Sequence, residues 1–430
     1  MTPEVKKRIE QTRQGIVPEG YKKGKIGIVP IKWNEVPFST LFTSTSEYTD
    51  DLKQYPLYSL TIEDGITAKT ERYERSHLVK KENSYKVVRP NDYAYNPMNI
   101  RFGAVARHKG DIPVAVSGYY NIFTTVHESD LVFMDSFLTY GPMITYYNKV
   151  STGSLVEKQR VHFSDFLEFS LALPPLEERK KIAEILATQD KAIELQERKI
   201  EELKRFKKGC LEKMFPRKGQ KVPETRFPGF TGDWEQRKVS TIASDTRGGG
   251  TPATSNETYW SGNIPWIQSS DLSEGKLFGV EPRKYISRDG LNNSATQLVP
   301  ENSIAVVTRV GVGKLAFMPF SYTTSQDFLS LCKLQTEPHF TVYALYQMLQ
   351  GELQAVQGTS IKGMTKDDLL SKSIFAPKDE VEQQQLGSYF RNLDTLITLH
   401  QRKLEEMKKQ KKALMQLLLT GIVKTKGEVR

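Results

Sequence analysis

Two long stretches of the chain place apolar residues at spacings that alternate between four and three. On an α-helix, positions spaced in this way form one continuous stripe. The pattern therefore predicts two long amphipathic helices, each of which buries one seam. The seam positions are, in the first stretch, Ile182, Leu186, Gln189, Ile193, Gln196, Ile200, Leu203, Lys207, Cys210 and Met214, and, in the second, Leu386, Phe390, Leu393, Ile397, His400, Leu404, Met407, Lys411, Leu414 and Leu418.

The two stretches are copies of one another. Residues 190–204 read DKAIELQERKIEELK and residues 394–408 read DTLITLHQRKLEEMK, an offset of 204 positions. The polar interruptions of the seam are also preserved, since Lys207 matches Lys411. Polar seam residues can fix the register of paired helices. We expect the two seams to pack against each other as a coiled coil; the alternative is that each helix packs only on its own domain.

Shorter runs upstream of each helix show a weaker repeat. WNEVPFSTLF begins at Trp33 and WEQRKVSTIA at Trp234, and VVRPNDYAYNP (87–97) resembles QLVPENSIAVV (297–307). Short β-rich runs between turn residues predict twisted strands in both regions. The predicted fold class is α/β (α+β), with two diverged domains and a long helix after each. The predicted segments are an N-terminal arm (1–32), a first domain (33–172), a first helix (173–215), a second domain (216–375), a second helix (376–422) and a tail (423–430).

The composition favours a polyanionic partner and a reducing compartment. The chain has 61 Lys and Arg against 51 Asp and Glu, a net charge of +10, although a basic balance alone is weak evidence for nucleic acid. Cys210 lies in the helical seam and Cys332 in an apolar run, so both are interpreted as buried free thiols. The sequence shows no apolar leader region and no stretch long enough for a membrane span. We therefore predict a cytoplasmic protein without membrane contact.

Motifs for catalysis are missing or incomplete. NPMN at 96–99 has Met where the tetrapeptide of an amino-methyltransferase needs a second Pro. GVGKL at 311–315 lacks both the leading Gly and the magnesium-binding Ser or Thr of a phosphate loop. The His and Cys residues lack zinc-ligand spacing. The sequence therefore predicts a non-catalytic chain that holds no metal.

Several segments resemble one known family. LPPLEERKKIAEIL, together with the segment at 190–204, resembles the helical spacer of specificity subunits in type I restriction–modification systems. RFPGFTGDWEQRKV, RGGGTP, YWSGNIPWIQSSDL and QGTSIKGMTKDDL resemble landmarks of that family's target-recognition domains. The resemblance covers nearly all of residues 16–422. The first domain lacks the GGTP and YW-G-IPW landmarks and resembles the family mainly through its flanks.

The resemblance implies both an architecture and a set of partners. It implies two target-recognition domains held on two long antiparallel coiled-coil helices in a pseudo-two-fold repeat. Each domain would read one half of a bipartite double-stranded DNA site. Two modification subunits would bring S-adenosylmethionine for adenine methylation, and two restriction/translocase subunits would bring ATP and Mg²⁺ chemistry. No cofactor would belong to this chain.

Candidate DNA contacts are Arg, Lys, His, Tyr, Asn, Ser, Thr and Gly residues in polar loops or at strand ends. Arg can donate two hydrogen bonds to guanine, and Ser or Thr can reach bases or phosphates. Adjacent Tyr119 and Tyr120 alternate along a strand, so one of them is expected to be buried. The candidates are Arg101, Arg107, His108, Lys109, Tyr119, Tyr120, Asn121, Arg247, Gly249, Thr251, Ser269, Ser270, Arg309, Lys314 and Lys362.

Apolar residues beside the seams are candidate docking points for the modification subunits: Ile185, Leu195, Leu396 and Leu399. Two rival classes of protein stay open. One is a self-contained DNA methyltransferase or nuclease with fused recognition domains, which the missing motifs disfavour. The other is a coiled-coil adaptor that binds no DNA, which the basic charge and the paired domains disfavour.

Overall fold

A computed structural model describes residues 2–69, 84–155, 158–217, 219–355 and 363–425. The chain forms two compact units. The first unit comprises Met1–Gln196 and Lys403–Arg430, and the second comprises Glu197–Arg402. Each unit therefore includes a segment of both long helices. The predicted domain limits at 33–172 and 216–375 stay an interpretation of the sequence, because the units extend beyond them into these helices.

The first unit mixes short strands with short helices. Its elements before the first long helix are α1 (Pro3–Arg13), β1 (Tyr21–Gly24), β2 (Gly27–Pro30), β3 (Asn34–Pro37), β4 (Phe42–Ser44), β5 (Tyr48–Thr49), β6 (Tyr58–Thr61), β7 (Gly65–Ala68), β8 (Tyr85–Val88), β9 (Tyr93–Tyr95), β10 (Val105–Arg107), β11 (Val114–Ser117), β12 (Asn121–Thr125), α2 (Leu131–Phe137), α3 (Gly141–Val150), α4 (Phe163–Leu167) and β13 (Ser170–Leu173).

The second unit is likewise mixed α/β, and the two long helices are α5 (Leu176–Met214) and α10 (Glu380–Leu419). The elements between them are β14 (Glu235–Lys238), α6 (Val239–Ile242), β15 (Ala243–Gly248), β16 (Ile264–Ile267), β17 (Lys284–Ile286), α7 (Arg288–Asn292), β18 (Ser303–Val307), β19 (Leu315–Met318), β20 (Thr323–Thr324), β21 (Phe328–Leu334), α8 (Pro338–Ala355), α9 (Lys366–Ser371) and β22 (Ser373–Ala376).

A four-stranded antiparallel sheet with one strand order recurs in both units. The order is β4-β12-β9-β10 in the first unit and β15-β21-β18-β19 in the second. Pro90 and Pro300, aligned in the sequence, each lie three residues before an inner strand of this sheet. We call the end at which β4, β9, β15 and β18 finish the loop end of each sheet. The chain loops that leave this end are therefore comparable between units.

The smaller sheets differ between the units. In the first unit β8 pairs antiparallel with both β11 and β5. In the second, β16 pairs antiparallel with β17 but parallel with β20. The repeat is therefore close in the central sheet and looser around it, as expected for diverged copies.

A two-stranded sheet leads into each long helix. β3 pairs with β13 immediately before α5, and β14 pairs with β22 immediately before α10. The tryptophans that open the two copies, Trp33 and Trp234, are both buried. Trp234 lies 5.8 Å from both Phe215 and Phe340, ring centroid to centroid, so it joins the end of α5 to α8.

Both long helices begin shortly after a proline-containing segment. Pro174 and Pro175 precede α5, and glutamates occupy the first turn of both helices, where negative charge favours the helix dipole. Every predicted seam position is buried or partly buried. Cys210, one of these positions, is only partly buried, whereas Cys332 is fully buried. Among helices of the described residues, none combines the length and the apolar character that crossing a membrane requires.

The N-terminal segment is more ordered than its turn-rich sequence indicates. It contains α1 and the hairpin β1-β2, and Ile9, Tyr21 and Ile28 pack with Leu417 and Ile422, which lie on either side of the last seam residue. The Tyr21 hydroxyl donates to the Gly421 carbonyl at 2.8 Å. The segment is therefore part of the first unit's core and not a separate arm.

Candidate nucleic-acid interface

Three chain segments meet at the loop end of the second unit. The Thr251 hydroxyl donates to the Gln326 side-chain carbonyl at 2.7 Å, which ties the glycine-rich loop after β15 to the turn before β21. The Thr308 amide donates to the Asp327 carbonyl at 2.7 Å, which ties the same turn to the end of β18. Thr251, Gln326 and Arg309 are all exposed. The result is one continuous surface of hydrogen-bonding side chains.

Gly249 and Gly250 allow this close approach. A Cβ atom on Gly249 would lie 1.9 Å from the Ser325 carbonyl oxygen, and one on Gly250 would lie 2.6 Å from the Thr296 nitrogen. Both distances are far below van der Waals contact, so any side chain would push the segments apart. The Gly250 carbonyl also accepts a hydrogen bond from the Trp266 indole at 2.9 Å. The RGGGTP motif thus shapes the loop, which explains Gly249 without a contact to a ligand.

The remaining candidates of the second unit are distributed around this surface. Arg247 pairs with Asp245 at 3.0 Å and its side chain is 43% exposed. The Lys314 ammonium donates to the Ser269 carbonyl at 3.4 Å, which brings Ser269 and Ser270 to the edge of the same surface. Lys362 lies outside the described residues.

In the first unit, some candidates occupy the equivalent loop end. Tyr119 and Tyr120 form the turn before β12, which corresponds to the turn that carries Gln326, and Asn121 begins that strand. Tyr119 is 44% exposed, whereas Tyr120 packs against a small apolar cluster. Both residues lie in a turn and not in a strand, so the expected alternation along a strand does not occur, although one tyrosine is exposed and the other partly buried. Tyr119 is the tyrosine that can reach a ligand.

Arg101 lies in the equivalent hairpin loop but is buried. Its guanidinium donates to the Gln159 side chain at 2.7 Å and stacks 4.7 Å from the Phe102 ring centroid. The Arg101 carbonyl accepts from the Asn148 side chain at 2.6 Å. We leave Arg101 out of the proposed interface because its guanidinium is held inside the unit. The adjacent Phe102 is 50% exposed instead.

Arg107, His108 and Lys109 lie at the opposite end of the sheet, where β10 finishes. Arg107 donates to both carboxylate oxygens of Asp135, at 2.9 Å and 2.8 Å. The buried His108 ring bonds the Ile112 carbonyl through Nε2 at 2.7 Å. Lys109 is exposed and lies 3.5 Å from Asp135. Because all three residues lie at the end of the sheet opposite to Tyr119, the predicted cluster at 107–109 does not join Tyr119 in one surface.

The same end of the sheet forms a cleft of about 600 Å³ around Arg107 and Asp135. The Tyr93 hydroxyl donates to Asp135 at 2.8 Å, and burial raises the pKa of Tyr93 far above its ordinary value. Tyr93 therefore stays a neutral donor at physiological pH. The polar groups of Tyr93, Arg107 and Asp135 are hydrogen-bonded to one another, which indicates that this network stabilises the fold and does not bind a ligand.

The docking candidates divide by exposure. Leu195 and Leu399, which correspond across the 204-residue offset, are each 55% exposed, and Leu396 is 39% exposed. Ile185 is partly buried and packs against the first unit's core, because its side chain turns toward the domain. The structure thus supports three of the four as surface positions, whereas Ile185 is partly buried against the first unit's core.

Three exposed residues of the second unit are not among the candidates predicted from the sequence. Gln326 has no motif around it that marks a binding residue, and Val310 is apolar. Phe206, on α5, is 54% exposed beside a mainly apolar cavity of about 580 Å³ within the second unit. Its spacing of eleven from Leu195 places both on one helix face, a signal that the sequence does contain.

Comparisons with known proteins agree on one family. A family model described as the type I restriction modification DNA specificity domain matches residues 98–205 and 231–409. The specificity subunit of the type I restriction enzyme MjaX from Methanocaldococcus jannaschii is 23% identical over 98% of this chain and 93% of its own length. The EcoR124I/EcoR124II specificity subunit of Escherichia coli is 30% identical over 35% of this chain and 38% of its own length.

Solved structures show the same fold. A chain from a study of complex assembly and conformational transition of the type I restriction–modification system has a TM-score of 0.58, with 17% identity, 92% of this chain and 99% of that chain covered. The S subunit of a type I system from M. genitalium has a TM-score of 0.53, with 11% identity, 90% and 96% covered.

Proposed function

The chain belongs to the type I restriction modification DNA specificity family, and from this premise we propose that each of its two units reads one half of a bipartite DNA site. The chain is a specificity subunit and not the catalyst of the complex. Methylation, ATP-driven translocation and cleavage would belong to partner subunits, which would hold the S-adenosylmethionine, ATP and Mg²⁺.

The observation that carries this proposal is the contrast within each central sheet. The strand order is the same in both units, while the loop ends carry different side chains. Thr251, Gln326 and Arg309 occupy this end in the second unit, and Tyr119 and Phe102 in the first. Direct readout of bases needs side chains of varied chemistry on a fixed frame. Two frames with different loops fit an asymmetric site.

We propose that α5 and α10 form an antiparallel coiled coil with pseudo-two-fold symmetry. In the first unit Lys411 pairs with Asp190, and in the second Lys207 pairs with Asp394 at 2.6 Å. These are the same two positions exchanged across the 204-residue offset, as a two-fold relation requires. Within the second unit Cys210 also lies 3.5 Å from the Tyr389 hydroxyl, so the partner residue number falls as the α5 number rises.

The exposed leucines support two equivalent docking sites. Leu195 and Leu399 are exposed to the same extent at corresponding positions, so a partner that binds one can bind the other. We propose that each receives one modification subunit, and that restriction/translocase subunits join the assembled complex. The family membership favours this reading over a self-contained methyltransferase or nuclease and over an adaptor that binds no DNA.

The test is whether the two units specify separate half-sites. The complex formed with modification subunits would be used to select binding sites from random duplex DNA, first wild type and then Arg309→Ala. A base-contacting arginine contributes about 1–3 kcal/mol and its loss relaxes one position. We expect relaxation in one half-site only, with the other half-site unchanged.

Lys238→Ala, an exposed lysine of the same unit away from the loop end, is the matched control and should leave the selected sequence intact. Equal relaxation of both half-sites by Arg309→Ala, or selection of a single continuous site by the wild type, would contradict the proposal.

A further inference from the structure

Val310 is the most exposed large hydrophobic residue among the described part of the chain, at 72%. It lies at the tip of the hairpin loop between β18 and β19, at the loop end of the second unit. Arg309 precedes it and is also exposed. An isolated apolar side chain on a surface needs no explanation by itself. Its position within a rigid, polar and basic surface is what makes this valine informative.

The loop that carries Val310 is fixed on several sides. Its base is closed by the Val307 amide donating to the Lys314 carbonyl at 2.9 Å. The Thr308 carbonyl accepts from the Met364 amide at 2.7 Å, so a further chain segment holds the same strand end. Gly311 and Gly313 have φ values of +93° and +97°, in the left-handed region.

Gly313 also locks the loop against the unit. A Cβ atom there would lie 2.4 Å from a Leu353 methyl carbon. On the other side, the Lys314 ammonium reaches the Ser269 carbonyl. Because both flanks are anchored, Val310 is presented outward and does not fold back onto the core.

The surroundings favour DNA bases as the occupant. Arg309 supplies positive charge beside the valine, and Thr251 and Gln326 supply hydrogen-bonding groups on the connected loops. In the major groove, the C5 methyl of thymine is the apolar group that such a side chain meets, while guanine and adenine present polar edges. The first unit exposes Phe102 in its equivalent hairpin loop, so an apolar tip recurs in both readers.

We propose that Val310 contacts the C5 methyl group of one thymine in the half-site read by the second unit, and so determines specificity at that position. The proposal rests on the proposed function and names a contact within it. The valine would disfavour cytosine there, because cytosine lacks the methyl group.

Deoxyuridine provides a sharp test because it differs from thymine only by that methyl. Each thymine of the selected site would be replaced in turn, and binding by the complex with modification subunits would be measured. For wild type we expect roughly a fourfold loss at one thymine, the contribution of about one buried methyl group. Val310→Ala should lose a similar factor on thymine DNA and show no further loss with deoxyuridine at that position.

Lys238→Ala, in the same unit but away from the loop end, is the control, and it should keep the wild-type sensitivity to deoxyuridine. Val310→Thr retains one methyl group and keeps the test valid where the alanine variant loses stability. Full wild-type sensitivity in both Val310 variants, or a half-site whose thymines all tolerate deoxyuridine, would overturn the proposal. Failure of the wild-type complex to select any bipartite site would instead refute the proposed function itself.

Discussion

The central sheets of the two units have the same strand order, but the units differ in the contacts that join each domain to its long helix. Glu178 and Glu382 occupy corresponding positions in the first turns of α5 and α10. Glu178 lies 3.6 Å from the exposed Lys32, whereas Glu382 is buried and receives two 2.7 Å hydrogen bonds from Arg226. The duplication therefore preserved the acidic position while its partner and its burial changed.

The residues that follow these glutamates, Arg179 and Gln383, show the same contrast. Arg179 pairs with the buried Asp130, just before α2, whereas the corresponding Gln383 accepts a hydrogen bond from the Glu337 amide just before α8. Both contacts tie a long helix to the start of a domain helix. The location of the junction is thus retained, and its chemistry is free to vary. We expect the two junctions to contribute different amounts to the free energy of unfolding.

The largest expected effect is on stability at the second junction. Arg226→Ala leaves the Glu382 carboxylate buried without its charged partner, which should lower the free energy of unfolding by about 3–5 kcal/mol. Lys32→Ala, at the first junction, removes a pair whose lysine is exposed to solvent, and should cost less than about 1 kcal/mol. Urea unfolding followed by circular dichroism would measure both.

A second substitution checks the cause. Glu382→Gln in the Arg226→Ala background removes the unpaired charge and should restore part of the lost stability. Equal destabilisation by Arg226→Ala and Lys32→Ala would show that the two junctions contribute alike and would contradict the comparison.

A smaller effect per site is expected at the exposed leucines, where the two units are alike. Leu195→Glu or Leu399→Glu places a charge in an apolar contact and should cost about 2 kcal/mol or more in binding at that site. Each single variant should retain one modification subunit, and the double variant should retain none. Native mass spectrometry of the co-purified complex would count the copies.

Gln401→Glu is the control, since Gln401 is an exposed residue two positions after Leu399 and therefore lies on a different face of α10. It should leave both copies bound. Loss of both copies from either single leucine variant would show that the two sites do not act separately.

The sequence predicted the helices better than it predicted the binding residues. Seam positions such as Leu186 and Phe390 follow from local periodicity, and their burial confirms the pattern. Arg101 could not be distinguished from Arg309 in the same way. The first is buried by Gln159, 58 residues away, and the second is exposed on a loop. Such differences depend on long-range packing, which a single sequence does not encode in any local pattern.

The N-terminal segment and Val310 show two further limits. The Gly and Pro residues around β1 and β2 predict an N-terminal arm, because the apolar residues that order this segment are few and their partners lie near residue 420. The exposure of Val310 does not follow from the sequence, because an apolar residue is ordinarily assigned to the core. Conversely, the sequence marks the glycine-rich motif at 248–250 as a candidate binding loop, whereas the structure shows that Gly249 is needed because the Ser325 backbone lies close to it.

The smallest expected effect concerns the distance between the half-sites. Four residues would be inserted in each long helix, between Arg198 and Lys199 and between Arg402 and Lys403. These two points correspond across the 204-residue offset, and in the proposed antiparallel pair the contact of Asp190 with Lys411 would place them opposite one another. A four-residue insertion is accommodated in a coiled coil as a local change of winding.

The insertion adds about 6 Å of helix, and duplex DNA rises about 3.4 Å per base pair. We therefore expect the selected site to keep both half-sites and to lengthen its unspecified spacer by one or two base pairs. Because DNA can bend or twist to absorb part of the change at about 1–6 kcal/mol, the preference for the new spacer should be modest, roughly tenfold. An insertion in α5 alone mismatches the seam and is the control. If a folded double-insertion variant selected the same spacer length, the length of the helices would not determine the distance between the half-sites. Other contacts would then position the two units on DNA.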